Sequence, residues 1–357
     1  MTTIAFPPAP KTLKGRATEL RALQHRLTDG RIERLALIGG GGSGKSLLAC
    51  AIGHRLRSHF TGGLVWLRVG GWDTTTLFQM FARKLGSDPA AGSRGLRRAL
   101  AQLGPVLIVL DNHENDRAMA RFLDELNLSN VVWLITARRC LLSGVEIFAV
   151  VPPLVTSAQD AFPRVAALTK LLRWNPLGLD IADALVRTRA VSVEALRSWL
   201  IAHGLGKVRV MAHEDDIAEV RGLFEWAWVR LGAGSRRLLV VLASSEGDDI
   251  DEASLYTLAR VGQAGPQALN ALVRWHLVQE PVAGRYTVHA VIRHAVQTKK
   301  LVSGKVYFDH YVSLLERHPD RVAQEQTHLY AAMDYAHRHS SLSETLRVQN
   351  LGTLLGA

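Results

Sequence analysis

The chain has 357 residues, 48% of them apolar and 21% charged, an ordinary balance for a globular protein with material for two or three domains. Its 43 Lys and Arg outnumber 32 Asp and Glu, giving a net charge of +11, and it has only two cysteines, Cys50 and Cys140. Those numbers exclude a disulfide scaffold, and no apolar run reaches the ~18 residues that a membrane-spanning helix needs.

The N-terminus is Pro-rich rather than an apolar export signal, so a cytoplasmic protein with reduced, buried cysteines is expected. Its basic residues are mostly arginines scattered among helices. They read as solvated surface with some phosphate contacts more than as a dedicated DNA-binding tract.

Residues 1–12, with Pro7, Pro8 and Pro10, read as an unstructured lead-in. A helix then begins around Lys14-Gly15-Arg16, carries Leu20, Leu23 and Leu27 on one face, and ends at Asp29-Gly30. Beyond it strands and helices alternate. Strands are predicted at 33–38, 63–69, 105–110, 130–136 and 146–151, and helices at 45–58, 74–86, 93–103 and 116–126. Such alternation is the pattern of an α/β, doubly wound parallel sheet, and right-handed crossovers bring the strand C-termini to one edge.

After Pro152-Pro153 the pattern turns helical over 157–204, with breaks at Asn175-Pro176 and near 189–192. The stretch 214–300 combines several helices with a hairpin whose strands, 277–280 and 285–288, flank a turn at 281–284, the order of a winged helix. Residues 305–357 are again amphipathic helices. The expected division is a lead-in at 1–12, a P-loop domain at 13–152, a helical lid at 153–212, a winged helix at 213–300 and a helical arm at 301–357.

The densest chemical signal is Gly39-Gly40-Gly41-Gly42-Ser43-Gly44-Lys45-Ser46, between an apolar strand and the helix that Leu47 and Leu48 continue. It satisfies the P-loop pattern G-x-x-x-x-G-K-[ST]. Glycines let the backbone close on a phosphate, and successive N–H groups at a helix N-terminus make an anion cradle. Lys45 is then expected to reach the β- and γ-phosphates and Ser46 to ligate Mg²⁺. Asp111 ends the apolar run Val106-Leu107-Ile108-Val109-Leu110, where a carboxylate helps hold the same Mg²⁺. Asn112 follows it in place of a second acid, so slow hydrolysis is expected. Arg138 lies just past the strand Val131-Val132-Trp133-Leu134-Ile135-Thr136-Ala137, where a guanidinium fork suits a terminal phosphate or simply caps the sheet edge. No Cys/His spacing suggests a metal site, and by themselves the pairs His289/His294 and His310/His318 read as structural.

Lys14-Gly15-Arg16, the P-loop, Val109-Leu110-Asp111-Asn112 and Ile135-Thr136-Ala137-Arg138 occur in the order that resembles STAND ATPases. These signal-transduction NTPases have an NB-ARC-like core and include apoptosome, plant-resistance and bacterial AfsR- and MalT-like regulators. Asn175-Pro176-Leu177-Gly178-Leu179 is similar to the family's Gly-Leu-Pro-Leu-Ala-Leu motif, and Val288-His289-Ala290 to its winged-helix Met-His-Asp. The resemblance covers roughly residues 12–340.

The resemblance implies an ATP/ADP switch. Gly15 and Arg16 would fold over the adenine, and the loop 39–46 with Leu47 would hold the phosphates. Pro176 would pack on base or sugar, and His289 would contact the β-phosphate of ADP. The closed ADP state would open on exchange for ATP and self-associate, passing a signal to an unidentified effector. Two other readings stay open at this stage: a DNA-binding regulator acting through the winged helix, and a motor-type AAA+ ATPase.

Overall fold

Strand β4 (Val106–His113) carries the logic of the first half of the chain. Its Val106, Ile108 and Leu110 pack with Phe81, Leu96 and Phe122, while Leu107 and Val109 pack with Leu23, Leu48 and Ile52. Side chains alternate across a strand with a period of two. With helices on both faces, both sets of positions must be apolar, hence the unbroken run.

The computed structural model describes residues 3–4, 6–10, 13, 15–151, 160–204, 218–245, 249–297, 302–322, 324–339 and 342–353, and it divides into two compact units, Met1–Leu179 and Asp180–Ala357. The breaks expected at 152–153, 212–213 and 300–301 lie outside the described residues.

In the first unit, strands β1 (Thr3–Ile4), β2 (Arg34–Ile38), β3 (Gly63–Arg68), β4, β5 (Val131–Ala137) and β6 (Glu146–Ala149) form one sheet. Its order is β1-β3-β4-β5-β2-β6, and every pair is parallel. Helices α1 (Ala17–Thr28) and α2 (Lys45–Arg55) cover one face. Helices α3 (Thr74–Lys84), α4 (Gly92–Ala101) and α5 (Asp116–Glu125) cover the other. Asp73 and Asn115 cap α3 and α5 by accepting the backbone N–H of Thr76 and Ala118.

The lead-in is not unstructured throughout. Thr3–Ile4 adds an edge strand beside β3, Phe6 packs edge-on against Trp66 and His54, and the Pro7 carbonyl bonds the His54 ring at 2.7 Å. A two-residue strand followed by prolines has no periodicity to read.

The second unit continues helix α6 (Pro176–Arg187), which starts at the predicted Asn175-Pro176 break, and adds α7 (Val193–Trp199). Then follow α8 (Ala218–Arg230), α9 (Ala233–Ser244), β7 (Ile250–Asp251), α10 (Glu252–Ala259), α11 (Gly265–Arg274), β8 (Gln279–Val282), β9 (Arg285–Thr287) and α12 (Ala290–Gln297). The three strands form an antiparallel sheet of order β7-β9-β8, and α9 packs on α10, α11 and α12, which is a winged helix.

Here the expected hairpin moves. Leu277 and Val278 are buried core residues ahead of the strand, and Pro281 lies within β8. A proline is tolerated there because β8 is an edge strand with one neighbour. Strand β7 went unpredicted, being two residues long. The arm is α13 (Gly304–Arg317), α14 (Gln326–His339) and α15 (Leu342–Thr353), around Phe308, Val312, Leu315, Leu329 and Val348.

Candidate nucleotide site

Strand β2 runs into the loop at Gly39, and helix α2 begins at Lys45. Two glycines fix the loop's path. Gly44 precedes the helix at φ 91°, with open space where a side chain would stand, and Gly42 sits at φ 75°. A Cβ on Gly42 would come within 2.8 Å of Asn175 Oδ1 and 2.9 Å of Leu177 Cβ. L side chains are strained at such φ values, so these positions require glycine. Lys45 Nζ donates to the carbonyls of Gly39 at 2.7 Å and Gly40 at 2.8 Å, so the cation lies along the mouth of the loop.

Asp111 is the centre of the site. It is 9% exposed, and its Oδ1 accepts hydrogen bonds from Ser46 Oγ at 2.6 Å and from Thr136 Oγ1 at 2.6 Å. These three residues come from α2, β4 and β5, so sheet order brings together groups 65 and 25 positions apart in the chain. The same Thr136 hydroxyl accepts the backbone N–H of Asn112 at 2.9 Å. Asn112 has φ 61°, within an irregularity of β4 between Leu110 and His113, and its amide donates to Glu114 Oε1 at 2.9 Å. The Asp111 charge also reaches Cys50. Burial first, and the neighbouring carboxylate second, push the Cys50 thiol up to about 11. That cysteine is therefore an inert buried thiol, as expected, whereas Cys140, also expected to be buried, is only half-buried.

Around this centre the other predicted residues take definite places. Ala137 pairs with Ile38, so Arg138 lies beside the start of the P-loop on the adjacent strand; its side chain is exposed and makes no hydrogen bond or ion pair among the described residues. Arg16 is 3% exposed and donates to the carbonyls of Ser43 and Val151, both at 2.6 Å, and to Glu19. It thus braces the P-loop from behind. Gly15, at φ 67°, is exposed beside it. Leu47 is exposed on the first turn of α2. Pro176 is the first residue of α6, and its neighbours grip the loop: Asn175 Nδ2 donates to the Gly41 carbonyl at 2.7 Å, and the Leu177 N–H to the Gly42 carbonyl at 3.3 Å. Asn175 Oδ1 accepts the N–H of Gly178 at 3.0 Å, capping α6 with the same side chain.

No protein-family model matches the chain. Two proteins named regulatory protein AfsR are similar to it: one from Streptomyces coelicolor, 26% identical over 321 residues, and one from Streptomyces griseus, 25% identical over 316 residues. Each alignment covers 81% of this chain and 32% of the relative. Among solved structures, a signal-transduction ATPase with numerous domains (STAND) and a tetratricopeptide-repeat sensor, from Pyrococcus horikoshii, has a TM-score of 0.61 at 17% identity. That match covers 98% of this chain and 51% of the other. The fold is that of a STAND-class P-loop ATPase. The chain spans about a third of the length of the AfsR relatives and about half of the STAND structure.

The donor set of this STAND fold suits Mg²⁺, since Ser46 Oγ and Asp111 Oδ1 are adjacent hard oxygens beside the phosphate loop. Among the described residues no group of three or more His, Cys, Asp or Glu forms a further metal site, and none of the helices is long and apolar enough to cross a membrane. His289 precedes α12, and its Nδ1 accepts the N–H of Val291 at 3.2 Å.

Two residues of the site escaped the sequence reading. Thr136 stands out as the one hydroxyl in a strand of apolar residues, a signal that could have marked it. Asn175 lies in the motif-like segment before Pro176, a place that suggests a helix cap and not a loop contact.

Proposed function

We propose that this chain is a nucleotide-controlled switch that rests with ADP, opens on exchange for ATP, then self-associates, and hydrolyses slowly. The observation that carries the reading is the pair Asp111–Asn112. Asp111 engages the P-loop serine, while the next position, where a fast hydrolase places a second acid, holds an amide in a left-handed conformation turned to Glu114. An amide cannot take a proton from water.

In this reading Lys45 and the loop N–H groups bind the phosphates. Ser46 and Asp111 hold Mg²⁺, which when bound neutralises charge on the phosphate oxygens. Thr136 keeps the Asp111 carboxylate oriented, and Arg138 answers the γ-phosphate. His289 contacts the β-phosphate in the ADP state. Because a ligand shifts an equilibrium only by its differential affinity, ADP must favour the closed form for the switch to work. The chain would act in the cytoplasm, and the signal would pass to a protein partner.

Chromatography of nucleotide released from the purified chain tests this, with ADP expected. Lys45→Ala should weaken nucleotide binding by about two orders of magnitude, the loss typical of removing one member of a close charge pair. A chain that carries no nucleotide and binds neither ADP nor ATP would overturn the proposal. Multiple-turnover phosphate release faster than about 1 s⁻¹, the low end of ordinary enzyme turnover, would favour a motor instead.

A further inference from the structure

The net charge of the chain is not shared between its two units. Residues 1–179 carry 23 Lys and Arg against 12 Asp and Glu, whereas residues 180–357 carry 20 against 20, so the entire +11 belongs to the P-loop unit. Asymmetry of this kind between halves of a chain points to a polyanionic partner. It also removes the winged helix as the electrostatic contact. Helix α11 exposes Gln267, Asn270 and Arg274, but only one of these is charged and its unit is neutral overall.

Within the first unit the excess is sharpest from α3 to the start of β4. Residues 74–106 contain Arg83, Lys84, Arg94, Arg97 and Arg98 against the single acid Asp88. Helix α4 buries Leu96 and Leu100 in the core and exposes Arg94, Arg97 and Arg98 on the opposite stripe. Arg97 fixes the helix in place by donating to the carbonyls of Glu125 at 3.0 Å and Asn127 at 3.4 Å. The side chains of Arg94 and Arg98 make no hydrogen bond or ion pair among the described residues. Like charges four residues apart work against a helix, so this stripe is not there for α4's own stability.

We propose that the exposed arginine stripe of α4, continued by the basic end of α3, binds the sugar–phosphate backbone of nucleic acid. Guanidinium forks match phosphate oxygens in pairs. Four residues of helix rise about 6 Å, the axial span of about two phosphates of one strand. A membrane surface fits less well, because the apolar residues of α4 point inward and offer nothing to insert. The contact is to backbone and so independent of base sequence. It does not rest on nucleotide binding at the P-loop.

Fluorescence anisotropy with the whole chain tests this, using a labelled duplex and a labelled single strand of arbitrary sequence, each of about 30 nucleotides, from about 50 to about 200 mM NaCl. Affinity should fall linearly with salt on logarithmic axes. Arg94→Glu/Arg98→Glu should weaken binding about 10- to 100-fold and flatten the slope by about 2, with Arg94→Gln/Arg98→Gln intermediate. Arg274→Glu should change neither value. Circular dichroism spectra and urea midpoints should match the parent in all these variants, which shows that they are folded. The inference is overturned if neither probe binds at the lowest salt, or if the α4 variants bind as tightly as the parent. Loss of binding through Arg274→Glu, or cosedimentation with phosphatidylserine vesicles without nucleic-acid binding, overturns it equally.

Discussion

Thr136→Val is the sharpest test of the Asp111 centre. The substitution keeps side-chain volume nearly constant at a residue 1% exposed, so it opens no cavity, but it deletes the hydroxyl. That hydroxyl donates to the Asp111 carboxylate at 2.6 Å and accepts the Asn112 N–H at 2.9 Å. A hydrogen bond to a charged group contributes about 1.5–3 kcal/mol, and a buried N–H left without an acceptor costs about 1–3 kcal/mol. The two losses share one atom and do not simply add. Asp111 also keeps its bond from Ser46, so the expected loss is about 2–4 kcal/mol, in the P-loop unit. Hydrogen exchange in a urea series, followed by mass spectrometry on β4 and β5, measures it without assuming that the whole chain unfolds in one step. Thr136→Ser keeps the hydroxyl and should lose only about 1 kcal/mol for the missing methyl. A valine variant within about 0.5 kcal/mol of the parent, or a serine variant as damaged as valine, would refute the reasoning.

Gly42→Ala places a Cβ in a left-handed backbone against Asn175 and Leu177, and should reduce ADP affinity at least about tenfold, measured by calorimetry. Glu325→Ala removes a fully buried carboxylate that accepts from Arg285 at 2.7 and 2.9 Å and from Arg321 at 2.8 Å; urea unfolding should show a loss of about 3–5 kcal/mol in the second unit. Acid should weaken the same region in two stages. Burial holds the His328 imidazole below its ordinary value of about 6.5, so its contribution is complete above about 6.5 and fades as pH falls through the lower folded value. For the Glu325 and Asp251 carboxylates, burial alone would raise the pKa. Arg285 and Arg321 at Glu325, and Ser254 with Arg321 at Asp251, outweigh it, so their share is lost further down. Urea midpoints that stay flat between about pH 7 and pH 4 would contradict this.

What could be read from the sequence was set by distance along the chain. The strand–loop–helix around Gly39–Ser46, the apolar run into Asp111 and the winged-helix order are local patterns, and most predicted strands and helices fall within a few residues of those observed. Thr136 acquires its role only when β4 and β5 pair, and Asn175 only when a segment 134 residues away reaches Gly41. A lone hydroxyl in an apolar strand hints at the first, but neither partner can be read from the local sequence. The short strands β1 and β7 were illegible for another reason, since two residues show no period. The charge excess was visible as a total, but its confinement to one unit became meaningful only once the division of the chain was known.

The buried ions of the second unit follow the same logic of long-range assembly. Arg285 leaves β9 and is held by Asp249 before β7 and by Glu325 before α14. Next to them, His328 Nε2 donates to the Asp249 carbonyl at 2.6 Å, and its Nδ1 accepts from the Tyr307 hydroxyl at 2.7 Å. Because a carbonyl can only accept, the first bond fixes the tautomer and hence the direction of the second. A cluster of this kind contributes little net stability over apolar residues of the same volume, because every charge in it has been taken out of water. Its effect is on geometry. Arg285 on β9 and the Asp249 carbonyl just ahead of β7 demand a carboxylate and an imidazole three residues apart at the start of α14. The hairpin of the winged helix and the first helices of the arm are therefore joined in one register, and a displacement of either must carry the other or strand a buried charge.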